Sequence, residues 1–161
     1  MENLVITSRQ FYSLLKLING HSKISSVTFK GHGQSMSPFI RNGNTICLKL
    51  IRMKDRIRIG DIVAVRQKNP DKIFIHRVIG IKEKKIQVKG DNRKVPDGWF
   101  PVHSIIGIVT KIKNTYGNIA VKIPLINPVI AFLSRTGILY RVLLPLARWT
   151  KQGIKNRVVN G

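Results

Sequence analysis

The sequence predicts a small, mainly β domain, and three observations carry that prediction. Short runs rich in Val and Ile recur between residues 27 and 122, separated by turn-forming residues. Before residue 128 there are few long helical patterns. Hydrophobic residues make up 43% of the 161, enough for a packed core and too many for a disordered chain. The length fits one domain, placed here over residues 1–122, followed by an appended tail over 123–161.

A short helix is expected over residues 8–19. Ser8 can cap it, Phe11, Leu14, Leu15 and Ile18 stand at helical spacing, and Gly20 stops it. Val27 to Lys30 reads as a strand that leads into the loop Gly31 to Asn44. Thr45 to Leu50 is a second strand, followed by a basic loop over 51–60. Asp61 to Arg66 and Phe74 to Ile81 are β-branched runs joined by the turn Lys68-Asn69-Pro70-Asp71, so they pair as a hairpin. Ile86 to Lys89 follows, then a polar loop from Gly90 to Gly98. Ile105 to Lys113 is a strand in which Gly107 marks a bulge or a close contact. A hairpin loop over 114–118 leads to a last strand, Ile119 to Lys122.

Beyond Pro128 the pattern becomes helical. Leu139, Val142, Leu143, Leu146 and Trp149 would share one apolar face, with Arg141 and Arg148 off it and Pro145 as a kink. A basic amphipathic helix of this kind suits an interfacial membrane segment, and equally a helix packed on its own sheet. The longest uncharged stretch, Ile123 to Ser134, is too short to span a bilayer.

The chain holds 29 Lys and Arg against 7 acids, a net charge of +22. Residues 119–161 carry 7 basic groups and no acid. Such a balance favours anionic partners, here expected to be an anionic membrane met by the tail. Nucleic acid is not expected, because no helix-turn-helix signature, zinc spacing or aromatic RNA-binding box is present. The lone Cys47 excludes an internal disulfide and a cysteine-based metal cluster, and its strand position predicts a buried thiol. No cofactor or metal is implied. With no apolar leader over residues 1–19, the expected location is cytoplasmic, at the inner face of the membrane.

The loop GHGQSMSPFIRNGN, residues 31–44, holds the candidate nucleophile. Ser35 sits among Gly31, Gly33, Ser37, Pro38 and Gly43, which allow an exposed hydroxyl and close backbone approach. Serine is inert at neutral pH unless a base takes its proton. Of the four histidines, His21 follows the helix stop, His32 is too near in sequence, and His103 is expected to start a strand. His76 lies on a strand with Phe74 and Val78 on its face, where it would be held in place. A histidine base needs a carboxylate to fix its tautomer. Asp91 and Asp97 both sit in the following loop, and either could serve, or simply shape a turn.

These boxes, taken in order, resemble the signal peptidase I superfamily. They are Gly33-x-Ser35-Met36-Ser37-Pro38, Gly60-Asp61-Ile62-Val63, His76-Arg77-Val78-Ile79-Gly80, Lys89-Gly90-Asp91-Asn92, Asp97 and Ile106-Gly107. The resemblance covers about residues 27–112 and is nearest the archaeal, endoplasmic-reticulum and sporulation branch. It implies a coiled β-sheet fold and a serine endopeptidase that cuts a leader or signal-like segment of a precursor. It makes Ser35 the nucleophile and His76 the base, with Asp97 orienting it and Asp91 in support. Gly33, Ser35 and Met36 become the oxyanion and substrate-binding positions. Housekeeping bacterial signal peptidases and self-cleaving SOS repressors have a lysine where this chain has His76. Two departures stand out: Gly33 occupies a position where many relatives have a second oxyanion serine, and the usual transmembrane anchor is not found. The competing reading is a non-enzymatic basic domain that binds anionic membrane or nucleic acid on the same scaffold.

Overall fold

A computed structural model of the chain describes residues 25–52, 54–114, 117–120 and 126–138, together with Ser13 and Arg141. The strands are β1 (Ser26–Lys30), β2 (Thr45–Leu50), β3 (Ile62–Gln67), β4 (Lys72–Lys82), β5 (Lys85–Lys89), β6 (Gly98–Pro101), β7 (Ile105–Asn114) and β8 (Gly117–Ala120). One helix, α1 (Ile126–Arg135), follows. The protein is mainly β, as its composition and periodicity predict. The strands form one curled antiparallel sheet in the order β1-β2-β7-β3-β4-β5-β6, with β8 also on β7.

Alternation explains the core. In β3, Ile62 and Ala64 join a cluster with Met36, Ile40, Ile46, Leu48, Leu50, Val109 and Ile112. Val63 and Val65 point the other way, into a cluster with Val78, Ile86, Val88, Ile105 and Ile108. A strand buried on both faces reads as a continuous apolar run, which is why residues 62–65 show no polar positions. The sheet curls because β4 is shared in halves. Lys72 to Arg77 pair with β3, while Arg77 to Lys82 pair with β5, so Arg77 alone has strand partners on both sides. Register shifts at Cys47/Leu48, Ala64/Val65 and Val78/Gly80 add local bends.

Some expectations are corrected. Gly98–Pro101 forms strand β6 on the edge of β5, starting at the last residue of the region read as loop and covering a stretch given no element. His103 lies exposed in a 3-10 turn, Val102–Ser104, not at a strand start. Cys47 is half-buried, because the alternation of β2 sends Ile46 and Leu48 inward and leaves Cys47 on the other face. The N-terminal helix expected over 8–19 lies outside the described residues except for Ser13, which is helical. Residues 121–125, where the domain boundary was placed, also lie outside, as does the helix expected over 138–149 apart from Ile138 and Arg141.

The described part of the tail packs on the domain. Ala131 and Ser134 of α1 are buried, the Lys89 ammonium donates to the Ser134 carbonyl, and the Asn127 backbone lies against Gly60. No described helix is long and apolar enough to cross a membrane.

Gly107 is a close contact, as its strand position predicts. A Cβ there would press on the Lys49 carbonyl oxygen and lie 2.9 Å from Leu48 Cγ. Gly107→Ala should therefore destabilise the protein by about 1–3 kcal/mol, read as a lower urea midpoint with an unchanged m-value.

Candidate active site

Three segments distant in sequence meet at Ser35. The first is the loop after β1. Its base is closed by Gly31 N–H donating to the Asn44 carbonyl at 2.8 Å and Gly43 N–H donating to the Gly31 carbonyl at 2.9 Å. Within it, the Asn42 side chain accepts from Gly33 N–H at 3.2 Å and the Asn44 side chain accepts from Arg41 N–H at 2.8 Å. Met36 and Ile40 drive into the core and fix the loop from below. Met36 is one of the expected oxyanion and substrate-binding positions, a role that only its backbone could fill. Its side chain is 3% exposed and holds Ser35 in place from the core side.

The second segment is β4, which carries His76. The ring is 4% exposed and packs against Phe74 at 5.0 Å between centroids. Neighbouring strand β3 opposes it with Val63. The third is the loop from Gly90 to Asp97. Asn92 N–H donates to the Ser35 carbonyl at 2.8 Å, and the Asn92 side-chain amide donates to the Gln34 carbonyl at 3.0 Å. Gly90 makes the approach possible: a Cβ there would lie 2.7 Å from the Ser35 carbonyl oxygen and 2.9 Å from His76 Nε2. Asp97 N–H donates to the Val88 carbonyl at 2.9 Å, which turns its side chain back toward β4.

The result is a continuous chain of hydrogen bonds. Ser35 Oγ is 2.9 Å from His76 Nε2, and His76 Nδ1 is 2.7 Å from Asp97 Oδ2. An ionised carboxylate can only accept, so Nδ1 carries the ring proton and Nε2 is left to accept from the Ser35 hydroxyl. Arg93 donates to the other carboxylate oxygen of Asp97 at 3.2 Å. Burial pushes the Asp97 carboxyl up, but the His76 hydrogen bond, the charges of His76 and Arg93, and the Gly90 N–H outweigh it. Together they hold the group below its ordinary 3.8. Chemically, this arrangement can draw a proton from a hydroxyl and stabilise the imidazolium that forms.

Asp91 takes a different place. It is buried and paired with Arg77, whose Nε donates at 2.9 Å and Nη2 at 2.7 Å. Arg77 Nη1 donates to the Gly60 carbonyl at 3.0 Å, and its guanidinium lies 5.1 Å from the Phe39 ring centroid. Of the two carboxylates left open by the sequence, Asp97 meets His76 and Asp91 lies beneath, on Arg77. Sequence reasoning gave no role to Arg77, Asn92 or Arg93. Arg77 and Asn92 stand within the quoted boxes and Arg93 just after one, but no pattern in the sequence shows what they pair with. His32 is exposed in the Ser35 loop, and His21 lies outside the described residues.

Residues 6–110 match the family model described as Peptidase S24-like.

Two outcomes test this geometry. Asp91→Ala strands a buried guanidinium and should cost about 3–5 kcal/mol in chemical denaturation, or prevent folding. Asp97 acts through pH. Its folded pKa is depressed, so its contribution to stability is complete above the ordinary carboxylate pKa. That contribution is lost as pH falls through the lower folded value. Asp97→Asn should flatten the stability-versus-pH curve on the acid side below about pH 4, measured by urea titration across that range.

Proposed function

This chain belongs to the Peptidase S24-like family, whose scaffold is of serine-peptidase type, and on that footing we propose that it is a serine endopeptidase using Ser35, His76 and Asp97. The observation that carries the reading is the 2.9 Å contact between Ser35 Oγ and His76 Nε2, made across 41 residues of chain. His76 takes the Ser35 proton as the hydroxyl oxygen attacks the scissile carbonyl carbon. The Ser35 backbone N–H faces the developing oxyanion. His76 then returns the proton to the leaving amine, which departs and leaves an acyl-enzyme. Water, activated by the same ring, releases the acyl group. Asp97 keeps the ring in the tautomer that this cycle needs, with Arg93 steadying the carboxylate.

We infer the Ser-His branch of signal-peptidase-type enzymes, because a histidine stands where Ser-Lys relatives have lysine. The substrate on this reading is a leader or signal-like segment of a peptide or protein precursor. Gly33 bears on the rate. Its φ of 97° lies in the left-handed region, where a serine would be strained, so a second side-chain oxyanion donor does not fit this loop conformation. One missing donor costs about 10²–10³ in rate, which points to a slow enzyme.

The test is covalent labelling by a fluorophosphonate, followed by cleavage of a peptide library. Wild type should take one phosphonyl group per chain, on Ser35. Ser35→Ala should lose both label and cleavage, His76→Ala should lose at least about 10³ in turnover, and both should melt near the wild-type temperature. Cleavage that persists in folded Ser35→Ala would sink the proposal.

A further inference from the structure

A helix that packs on a sheet ordinarily turns its apolar stripe inward. In α1, Ile130 and Leu133 are half-buried, but two large apolar side chains, Val129 and Phe132, face out. The sheet side is formed by Ala131 and Ser134, each 1% exposed, with the Asn127 backbone against Gly60. Val129 is 56% exposed and Phe132 63%. Three residues apart, they share one helix face. Ile138, just past the helix, is also exposed. One turn beyond Phe132, Arg135 joins Thr136, Gly137, Arg141 and Lys94 around an open cavity of about 340 Å³. Three of these five residues are cations, none is an acid, and residues 119–161 contain no acid at all.

We propose that this face docks on an anionic phospholipid bilayer. A lipid phosphate enters the cavity between Lys94, Arg135 and Arg141, while Val129, Phe132 and Ile138 sink among the acyl chains. The pairing of a basic pocket with neighbouring exposed apolar side chains selects this occupant. A nucleic acid would meet the cations but leave Val129 and Ile138 in water. Lys94 belongs to the loop that carries Asp97, so docking holds that loop at the bilayer surface. The inference does not depend on Ser35 chemistry, and its test reads binding alone.

The 161-residue chain is floated with vesicles of phosphatidylcholine, and of phosphatidylcholine mixed equally with phosphatidylglycerol. Binding is expected only to the second. Val129→Ser with Phe132→Ser leaves the charge unchanged and alters exposed positions, so the fold is kept, as circular dichroism would verify. That pair should weaken partition about tenfold or more. Arg135→Gln with Arg141→Gln should weaken it more than Lys82→Gln with Lys85→Gln, which removes equal charge from the exposed β4–β5 turn. Unchanged partition in the serine pair, or equal loss in the two glutamine pairs, would reduce the effect to bulk charge and overturn the site. Tighter binding to a short single-stranded DNA, lost in the serine pair, would assign the face to nucleic acid and overturn it as well.

Discussion

Arg77 is the residue on which the candidate site depends. It is the only position of β4 with a strand neighbour on each side, so it marks where the sheet curls. Its guanidinium, 2% exposed, reaches the three segments around it. It grips Asp91 at the start of the loop that carries Asp97, the Gly60 carbonyl ahead of β3, and the face of Phe39 in the Ser35 loop. A buried arginine without a carboxylate is intolerable at this depth, so the pair forms together or the region does not form. Its planar fork fixes direction as well as distance, which a lysine could not do.

That arrangement separates two electrostatic tasks. Adjacent strand residues point to opposite faces, so His76 and Arg77 serve opposite sides of the same strand. Below, Arg77 and Asp91 are sealed from water and hold the architecture. Above, Ser35 and Asp97 are only half-buried, within reach of a substrate. Asp91 and Asp97 are six residues apart in one loop, yet the first is neutralised by a permanent cation and the second faces a ring that can gain and lose a proton. The loop can be rigid at one end and reactive at the other because each carboxylate has its own partner.

Much of this was legible in the sequence. Alternation with β-branched residues located β1 to β5 and β7, and the continuous apolar run of β3 reflected burial on both faces. β6 was missed because a four-residue strand bounded by Gly98 and Pro101 carries too few positions to show a period. The ordering of Ser35, His76 and the two aspartates could be read, but not which aspartate meets the ring. That choice is made by the turn of Asp97 onto Val88 and by the pull of Arg77 on Asp91, both products of tertiary packing. That the Met36 side chain enters the core could not be read from its place beside Ser35. In a tight turn neighbours diverge, and an apolar side chain beside a core goes inward. The exposed apolar face of α1 escaped notice because a pattern of hydrophobic residues does not say which side meets the sheet.

The net charge follows a similar logic. Five of the described acids are engaged: Asp55 with Lys49, Asp61 with the Arg58 N–H, Asp71 with Arg66, Asp91 with Arg77 and Asp97 with His76 and Arg93. With so few acids, and these held in local pairs, most of the basic groups have no acidic side chain to balance them. A charge of +22 brings self-repulsion and does not help the compact state, so it calls for an external explanation. Sequence position sharpens the point. The stretch with no acids at all is also the stretch whose described helix shows Val129 and Phe132 to solvent. Charge alone would suit any polyanion, and exposed apolar surface alone would suit any greasy partner. Their coincidence on one helix, beside a cavity shared with the Asp97 loop, suits a surface that is both anionic and oily within a few ångströms of depth.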